Sequence, residues 1–287
     1  MKQRKLVLIL VGIVAVGLSR GGREAVSGGP PAAVAPPAPT AAPDVTGPTF
    51  TLDLGSQVTM RLMLIPAGTF RMGSPDDEAD RAKDEGPQRE VAISKPFYLG
   101  VHEVTQQQYE QVIGKNPSRH KGPENPVESV TWSEAAEFCR KVSDLAGRTV
   151  RLPTEAEWEY ACRAGAHGRF SFGADEKALD DHAWYAGNSG KKPHPVAGKK
   201  PNRFGLHDMH GNVFEWCADW HGAYGGAAGV DPRGPESGKA RVVRGSGFFG
   251  KPDQLRSATR FKGPPTCRAC HIGFRVAADA EAPAGPK

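Results

Sequence analysis

Two cysteines three residues apart, followed directly by a histidine, form the segment with the widest range of chemistry. The segment reads Cys267-Arg268-Ala269-Cys270-His271. Thiols at this spacing can form a disulfide, bind a soft metal ion or carry redox chemistry. In an exported protein the same order is the attachment signature of c-type haem, with the histidine as axial iron ligand. The simplest interpretation is a surface-loop disulfide, and the spacing alone leaves the others open.

Two further patterns resemble functional sites but lack a required part. His207 and His210 flank Asp208, yet no third ligand lies near them in this loop, which favours hydrogen-bonding histidines over a metal site. The glycines at 245, 247 and 250 follow the spacing of a dinucleotide-binding turn. A helix should come next, but Lys251-Pro252-Asp253 follows, and no acidic residue stands about 20 residues further on. We therefore expect no nucleotide site.

Capping patterns predict three helices that would support these segments. Thr105 and Gln108 form a capping box for a helix ending at Gly114, and Thr154 with Glu157 forms another. Ser133 is predicted to cap a helix that stops at Gly147. Strands are expected at Met60–Ile65, Val91–Ile93, Phe97–Val101, Arg241–Arg244 and Ile272–Val276. After residue 166, Gly, Pro, Asn and Asp dominate, which predicts long ordered loops held by something such as a metal ion.

Composition and charge argue against a nucleic-acid partner. The chain has 287 residues with 35 Gly and 25 Pro, which favours a loop-rich body over a helical bundle. Its formal charge is +5, but Lys2, Arg4 and Lys5 supply three of those charges. Without these three the remainder is only +2, too little to attract a polyanion.

The N-terminal residues predict export. The basic start is followed by an apolar run from Leu6 to Leu18, which is shorter than the roughly 20 residues of a membrane span and fits a secretory signal. We expect a signal peptide or short anchor at 1–19, a disordered Pro/Ala/Gly linker at 20–48, one domain at 49–279 and a flexible tail at 280–287. The protein would be periplasmic or extracellular, with membrane contact only through an uncleaved N-terminus.

Seven segments in order carry a family resemblance. They are FRMGS (70–74), PFYLGVHEVTQQQY (96–109), PVESVTWSEAAEFC (126–139), RLPTEAEWEYACRAG (151–165), GNVFEWCADW (211–220), RVVRGSGFFGKPDQLRSATR (241–260) and IGFRV (272–276). Together they resemble the formylglycine-generating enzyme family, also called sulfatase-modifying factors. The resemblance implies an α+β fold: a single compact, loop-rich domain related to C-type lectins.

The same resemblance implies a copper site that this chain lacks. Active members convert a cysteine of a substrate sulfatase to formylglycine with oxygen and Cu(I), which two thiolates bind shortly after an RGGS-type turn. That turn corresponds here to Arg244–Gly247, and the following residues, Phe248–Leu255, contain no cysteine. Cu(I) requires soft ligands, so we expect no copper at this place. The family's GN-x-W-E-W tryptophan, which lines the substrate groove, is replaced by Phe214.

The resemblance also implies a calcium ion and a binding groove. The expected calcium ligands are the carbonyls of Gly211 and Val213, the side chain of Glu215 and that of Asp208. Hard oxygen ligands on a tight loop suit Ca²⁺. In the alternative, Glu215 only caps the turn through hydrogen bonds. The residues expected to line or flank the groove are Phe214, Trp216, Arg244, Ser246, Phe248, Arg256 and Arg260.

Two classes of function follow. The first is an exported, non-catalytic or repurposed module that binds a peptide or protein ligand in the groove, with structural calcium as cofactor. The second is an oxidoreductase. It would either mature sulfatases through a divergent site or act as a redox or haem c protein through Cys267, Cys270 and His271.

Overall fold

Strands and helices share one domain without regular alternation, so the fold class is α+β, as the sequence predicts. The computed structural model describes residues 47–225 and 229–280, which belong to one compact unit. The leader at 1–19, nearly all of the linker at 20–48 and nearly all of the tail at 280–287 lie outside the described residues. Among the residues that are described, no helix is long and apolar enough to cross a bilayer.

Short elements alternate with long loops along the described chain. The helices are α1 (Gln106–Ile113), α2 (Trp132–Ala146), α3 (Glu155–Arg163) and α4 (Leu179–His182). The strands are β1 (Thr49–Asp53), β2 (Thr59–Ile65), β3 (Gly68–Met72), β4 (Arg89–Ile93), β5 (Phe97–Gly100), β6 (Val150–Arg151), β7 (Phe214–Trp220), β8 (Gly229–Val230), β9 (Arg241–Arg244), β10 (Phe261–Gly263), β11 (Ile272–Gly273) and β12 (Ala277–Asp279).

Three sheets organise these strands. The largest has the order β1-β2-β5-β12-β6, and β12 pairs antiparallel with both β5 and β6. The last strand of the described chain is therefore held between earlier ones. A second sheet, β10-β9-β7-β11, carries the segments singled out for chemistry. The third, β3-β4-β8, ends in a parallel pair between β4 and β8.

Capping boxes set the start of the three longer helices. Thr105 and Thr154 cap α1 and α3 as predicted, and Gly114 ends α1 in the left-handed conformation. The predicted cap of α2 at Ser133 is wrong. Thr131 is the N-cap, because its hydroxyl accepts from the Glu134 backbone N–H while the Glu134 carboxylate accepts from the Thr131 N–H. α2 therefore begins two residues earlier than predicted, and its end before Gly147 is as expected.

The strand predicted at Ile272–Val276 is shorter in the structure. Only Ile272 and Gly273 pair with β7, in parallel register. Gly273 must be glycine because a Cβ there would lie 2.2 Å from the Val127 carbonyl oxygen. The chain then leaves the sheet, and Arg275 buries its guanidinium group against Glu215 of β7. The backbone after Gly273 instead accepts hydrogen bonds from the end of β5 and the segment that follows it, from Gly100 to Val276 and from Val104 to Phe274.

Aromatic packing beneath α1 and α2 forms part of the core. Tyr109 and Phe138 stack with ring centroids 5.5 Å apart, and Phe274 contacts Phe138 edge-on at 5.4 Å. Burial of each such ring contributes about 1.5–3 kcal/mol. Cys139, Cys162 and Cys217 are buried in the core clusters as free thiols. Burial raises the thiol pKa, to about 12 for Cys162, so these thiols stay protonated.

Buried arginines hold the long loops together. Arg256 makes a bidentate ion pair with Glu85, at 2.6 and 2.7 Å, and also bonds Glu78 and the Asp80 carbonyl. Glu85 closes an acidic stretch at 76–85 and is fully buried. Burial opposes ionisation of Glu85, but the bonds from Arg256 and the Ala82 N–H lower its pKa overall.

Two more arginines from the same stretch repeat this arrangement. Arg260 pairs with Glu155 at 2.7 and 2.8 Å and donates to the carbonyls of Asp84 and Gly222. Arg244 pairs with Glu159 and donates to the carbonyls of Ser257, Ala258 and Thr259. Each guanidinium thus connects a carboxylate to loop backbone that lacks regular partners.

We expect Arg256→Met to lower the free energy of unfolding by about 3–5 kcal/mol, because it leaves the buried Glu85 carboxylate without its cation. Urea denaturation followed by circular dichroism measures the loss. Arg140→Met is the matched control, since the ion pairs of Arg140 on α2 are exposed. It should leave the midpoint unchanged. Equal midpoints for the two variants would contradict a stabilising role for the buried pair.

Candidate functional site

A sharp turn after β9 places two aromatic residues at the start of β7. Gly245 and Ser246 both adopt left-handed backbone conformations, with φ of 88° and 64°. The Phe248 N–H then donates to the Asn212 carbonyl at 2.8 Å. At Gly247 a Cβ would lie 3.0 Å from the Phe214 ring, so the turn passes closely over that ring. This is the stretch where the family resemblance implies copper-binding cysteines.

The turn creates a cluster of rings that we call the aromatic face, formed by Phe214, Phe248, Phe249, His271 and His120. Phe249 lies at its centre: its ring centroid is 4.8 Å from that of His271, 5.3 Å from Phe248 and 5.9 Å from Phe214. His120 contacts Phe248 edge-on at 5.5 Å. Phe249 is 44% exposed, whereas Phe214 and Phe248 are buried beneath it. The face therefore presents one large apolar side chain on a rigid aromatic support.

Only part of the predicted groove belongs to this face. Of the seven residues expected to line or flank the groove, Phe214 and Phe248 are part of the aromatic face. Trp216 is fully buried, and its indole N–H donates to the Val130 carbonyl at 3.0 Å. Ser246 is also fully buried, with no hydrogen-bond partner for its hydroxyl. The guanidinium groups of Arg244, Arg256 and Arg260 are buried in the ion pairs described above, so these three residues stabilise loops and are not part of the aromatic face. Arg260 also lines a different cavity, next to Tyr224.

The C-x-x-C-H segment adjoins the aromatic face. Its loop is fixed by hydrogen bonds from the Ser129 N–H to the Ala269 carbonyl and from Arg268 to Glu134. Cys267 and Cys270 are half-buried free thiols. The His271 ring contacts Phe214 and Phe249, and burial lowers its pKa. Among residues 47–225 and 229–280, no three His, Cys, Asp or Glu side chains are grouped to hold a metal ion. The His271 ring is thus part of the aromatic face.

Glu215 of β7 is already engaged by other residues. Arg275 binds its carboxylate in a bidentate pair with both distances at 2.7 Å, and the Trp158 indole N–H donates to it at 2.8 Å. The group is fully buried. Of the four expected calcium ligands, Glu215 therefore has the fewest free lone pairs, and its negative charge is balanced by Arg275.

A second carboxylate beside this pair was not foreseen. Glu103 is fully buried, and its Oε1 accepts from the Val213 N–H at 3.4 Å while Oε2 has no partner. Asp208 accepts from the Ala197 N–H at 2.7 Å through Oδ2, and its buried Oδ1 also lacks a partner. Burial raises the pKa of Glu103, and the charges of Asp208 and Glu215 raise it further. Burial likewise raises the pKa of Asp208.

The two unpartnered oxygens are donors of the type that binds a hard cation, and backbone carbonyls would have to complete the site, since no three His, Cys, Asp or Glu side chains of the described residues are grouped to hold a metal ion. Carboxylate oxygens of Glu103 and Asp208, with the neighbouring carbonyls of Gly211 and Val213, are the donor types that Ca²⁺ uses. Gly211 belongs to a closely packed turn, because a Cβ there would lie 2.3 Å from the Trp184 carbonyl oxygen. A bound cation would neutralise the buried charge that now raises the pKa of both acids. In the sequence, Glu103 stands more than 100 residues from the turn, so spacing could not reveal it.

Comparison with known proteins identifies the family. The family model described as the sulfatase-modifying factor enzyme 1-like domain matches residues 54–280. The formylglycine-generating enzyme of Thermomonospora curvata is 30% identical over an alignment of 312 positions, gaps included, that covers 81% of this chain and 99% of that protein. The chaperone protein LppX of Paenibacillus barcinonensis is 32% identical, over 65% of this chain and 78% of that protein.

Solved structures agree with the family model. PvdO from Pseudomonas aeruginosa superposes with a TM-score of 0.74 at 33% identity, covering 82% of this chain and 98% of that one. Treponema denticola variable protein 1 gives a TM-score of 0.73 at 31% identity, covering 81% and 98%. The motif order, the α+β fold and these matches lead to one conclusion: the chain belongs to the formylglycine-generating enzyme, or sulfatase-modifying factor, family, with its C-type-lectin-like fold.

Proposed function

We propose that this chain is an exported, non-catalytic accessory module that binds an extended polypeptide on the aromatic face. The observation that carries the proposal is the exposed Phe249 on its support of Phe214, Phe248 and His271, at the place where the resemblance implies a copper site. Exposed aromatic anchors on rigid supports are typical centres of protein-binding surfaces. One relative is named a chaperone protein, which is consistent with an accessory role for this chain.

The chemistry of the thiols supports a non-catalytic role. The family's oxidation requires two thiolates that bind Cu(I). Cys139, Cys162 and Cys217 are buried with raised pKa values, so they cannot supply thiolates near neutral pH. Cys267 and Cys270 lie on another loop, adjacent to the aromatic face. They keep a divergent oxidoreductase as the second candidate, and the same assay tests it.

Structural calcium is part of the proposal. The unpartnered oxygens of Glu103 and Asp208 support it, with Gly211 and Val213 as carbonyl donors. The ion would stabilise the turn that supports Phe214, so its role would be to fix the binding face. The calcium ligand set proposed from the structure thus differs from the expected one: Glu103 joins it, and Glu215 is assigned to Arg275.

The protein, loaded with Cu(I), is expected to leave a peptide with the Cys-x-Pro-x-Arg motif unchanged. The reason is that residues 248–255, which directly follow the turn after β9, contain no cysteine to bind the metal ion. Mass spectrometry reports the mass loss that accompanies conversion of the cysteine to an aldehyde. The formylglycine-generating enzyme of Thermomonospora curvata serves as positive control. Conversion of the peptide cysteine by this chain would contradict the proposal that it is non-catalytic. If the double variant Cys267→Ser/Cys270→Ser then no longer converted the peptide, the activity would be assigned to these two cysteines.

Phe249→Ala should weaken binding to immobilised random-sequence peptides by at least about thirtyfold, because loss of a central aromatic anchor costs about 2 kcal/mol or more. Leu145→Ala is the matched control, since Leu145 is another exposed apolar residue, on α2. It should bind as the parent does. Surface plasmon resonance measures both, and circular dichroism confirms that each variant is folded. Equal affinities for the two variants would exclude the aromatic face as the binding surface.

Calcium should raise the unfolding free energy of the protein, by about 2.7 kcal/mol at a hundred times its Kd. Glu103→Gln should abolish the difference between calcium and chelator, because it removes one of the two unpartnered carboxylates. Glu124→Gln, at an exposed position, should keep that difference. Thermal denaturation in calcium and in chelator gives the comparison. A calcium effect that survives in Glu103→Gln would place the ion elsewhere.

A further inference from the structure

We infer that the polypeptide bound at the aromatic face is acidic. This rests on the proposed function and deepens it. Three segments that contact the face carry five exposed cations: Arg119, Lys121, Lys191, Lys192 and Lys251. We call this set the basic rim.

The first two rim residues are placed by His120. Arg119 and Lys121 flank this histidine, whose ring contacts Phe248 of the aromatic face. The His120 N–H donates to the Glu128 carboxylate at 2.7 Å, and Glu128 is fully buried. That bond fixes the backbone between the two cations. They are therefore held at the border of the face rather than on a free loop.

The other three rim residues are placed by the β9 turn. The Ser189 hydroxyl donates to the Phe248 carbonyl at 2.6 Å and accepts from the Lys191 N–H at 3.1 Å. This connects the backbone of Lys191, and of Lys192 after it, directly to the aromatic face. Lys251 follows Gly250, whose carbonyl accepts from the Ala186 N–H at 3.0 Å. Both loops thus contact the backbone of the turn that carries Phe248 and Phe249.

The charges of the basic rim are not neutralised within the described protein. Across residues 47–225 and 229–280, none of the five rim residues forms an ion pair, and the Lys121 ammonium donates to the Asn116 carbonyl. The three segments are 118–128, 186–194 and 245–253, and their exposed carboxylates are Glu124 and Asp253. Five exposed cations therefore stand against two exposed anions. This differs from the fully buried arginines of the domain, which are paired with buried carboxylates.

An aromatic anchor inside an unpaired basic rim selects for a ligand with both apolar side chains and negative charge. A polypeptide with carboxylates on either side of an apolar or aromatic residue offers both. A sulfated or uronic saccharide offers the charge without an apolar side chain for Phe249. A basic peptide would be repelled by the rim. We therefore assign the ligand to acidic polypeptides.

The probe for this assignment is a random copolymer of glutamate and tyrosine, compared with a copolymer of lysine and tyrosine and with heparin. The full chain should bind the Glu/Tyr copolymer at least about tenfold more tightly than the Lys/Tyr copolymer at low salt. The preference should shrink as ionic strength rises, because exposed charges are screened. Fluorescence anisotropy measures each affinity.

Charge reversal locates the interaction. Lys191→Glu/Lys192→Glu should weaken binding of the Glu/Tyr copolymer by about tenfold and reduce its salt dependence. Lys141→Glu/Lys239→Glu makes the same change in net charge away from the three rim segments, and it should have a much smaller effect. Equal losses in the two double variants would overturn the assignment to the basic rim. Tighter binding of heparin than of the Glu/Tyr copolymer would overturn the assignment to polypeptides.

The outcomes also separate this inference from the proposed function. If Phe249→Ala abolishes binding of random peptides while Lys191→Glu/Lys192→Glu leaves every affinity unchanged, the aromatic face binds polypeptides without a charge preference. The inference then fails and the proposed function stands. If Phe249→Ala leaves peptide binding unchanged, the proposed function fails, whatever the basic rim binds.

Discussion

The fold depends on buried pairs between guanidinium groups and carboxylates. Arg244, Arg256 and Arg260 follow one another along the chain after β9, and each pairs with a buried glutamate and donates to loop carbonyls. Long loops with little regular structure leave many backbone carbonyls without partners. Arginine meets this need with five donors in a fixed planar geometry. The loops were expected to need an ion to hold them, and the chain's own cations take over much of that role.

The same stretch that supplies these arginines also forms the aromatic face. The β9 turn turns its polar groups inward and leaves Phe249 outside, above Phe214 and Phe248. Hydrogen bonds from Phe248 to Asn212 and from Ser189 to Phe248 fix the backbone of the turn next to the exposed ring. A rigid aromatic anchor loses little conformational entropy when it binds. The surface where the family resemblance implies redox chemistry thus has the physical properties of a recognition site.

Charge is used in two different ways in this molecule. Inside, each cation has a carboxylate partner, because an unpaired buried charge would cost several kcal/mol. Two buried carboxylates lack such a pairing: Glu103 and Asp208 each have an oxygen without a partner and a raised pKa. This contrast supports a cation at that place. On the surface around the aromatic face, five cations lack carboxylate partners. Water solvates these surface charges and so lowers the free-energy cost of leaving them unpaired. The charges remain available to a ligand.

Local interactions were predictable from the sequence, and contacts between distant residues were not. The capping boxes at Thr105 and Thr154 set helix starts because they join residues only three positions apart, and the order of the motifs determined the family and fold class. The order of the strands in the sheets, the burial of Arg244, the approach of Glu103 to Val213 and the exposure of Phe249 were decided by the tertiary structure alone. Each of these depends on segments that are not adjacent in the chain, whose side chains meet only when the three sheets and their loops pack together.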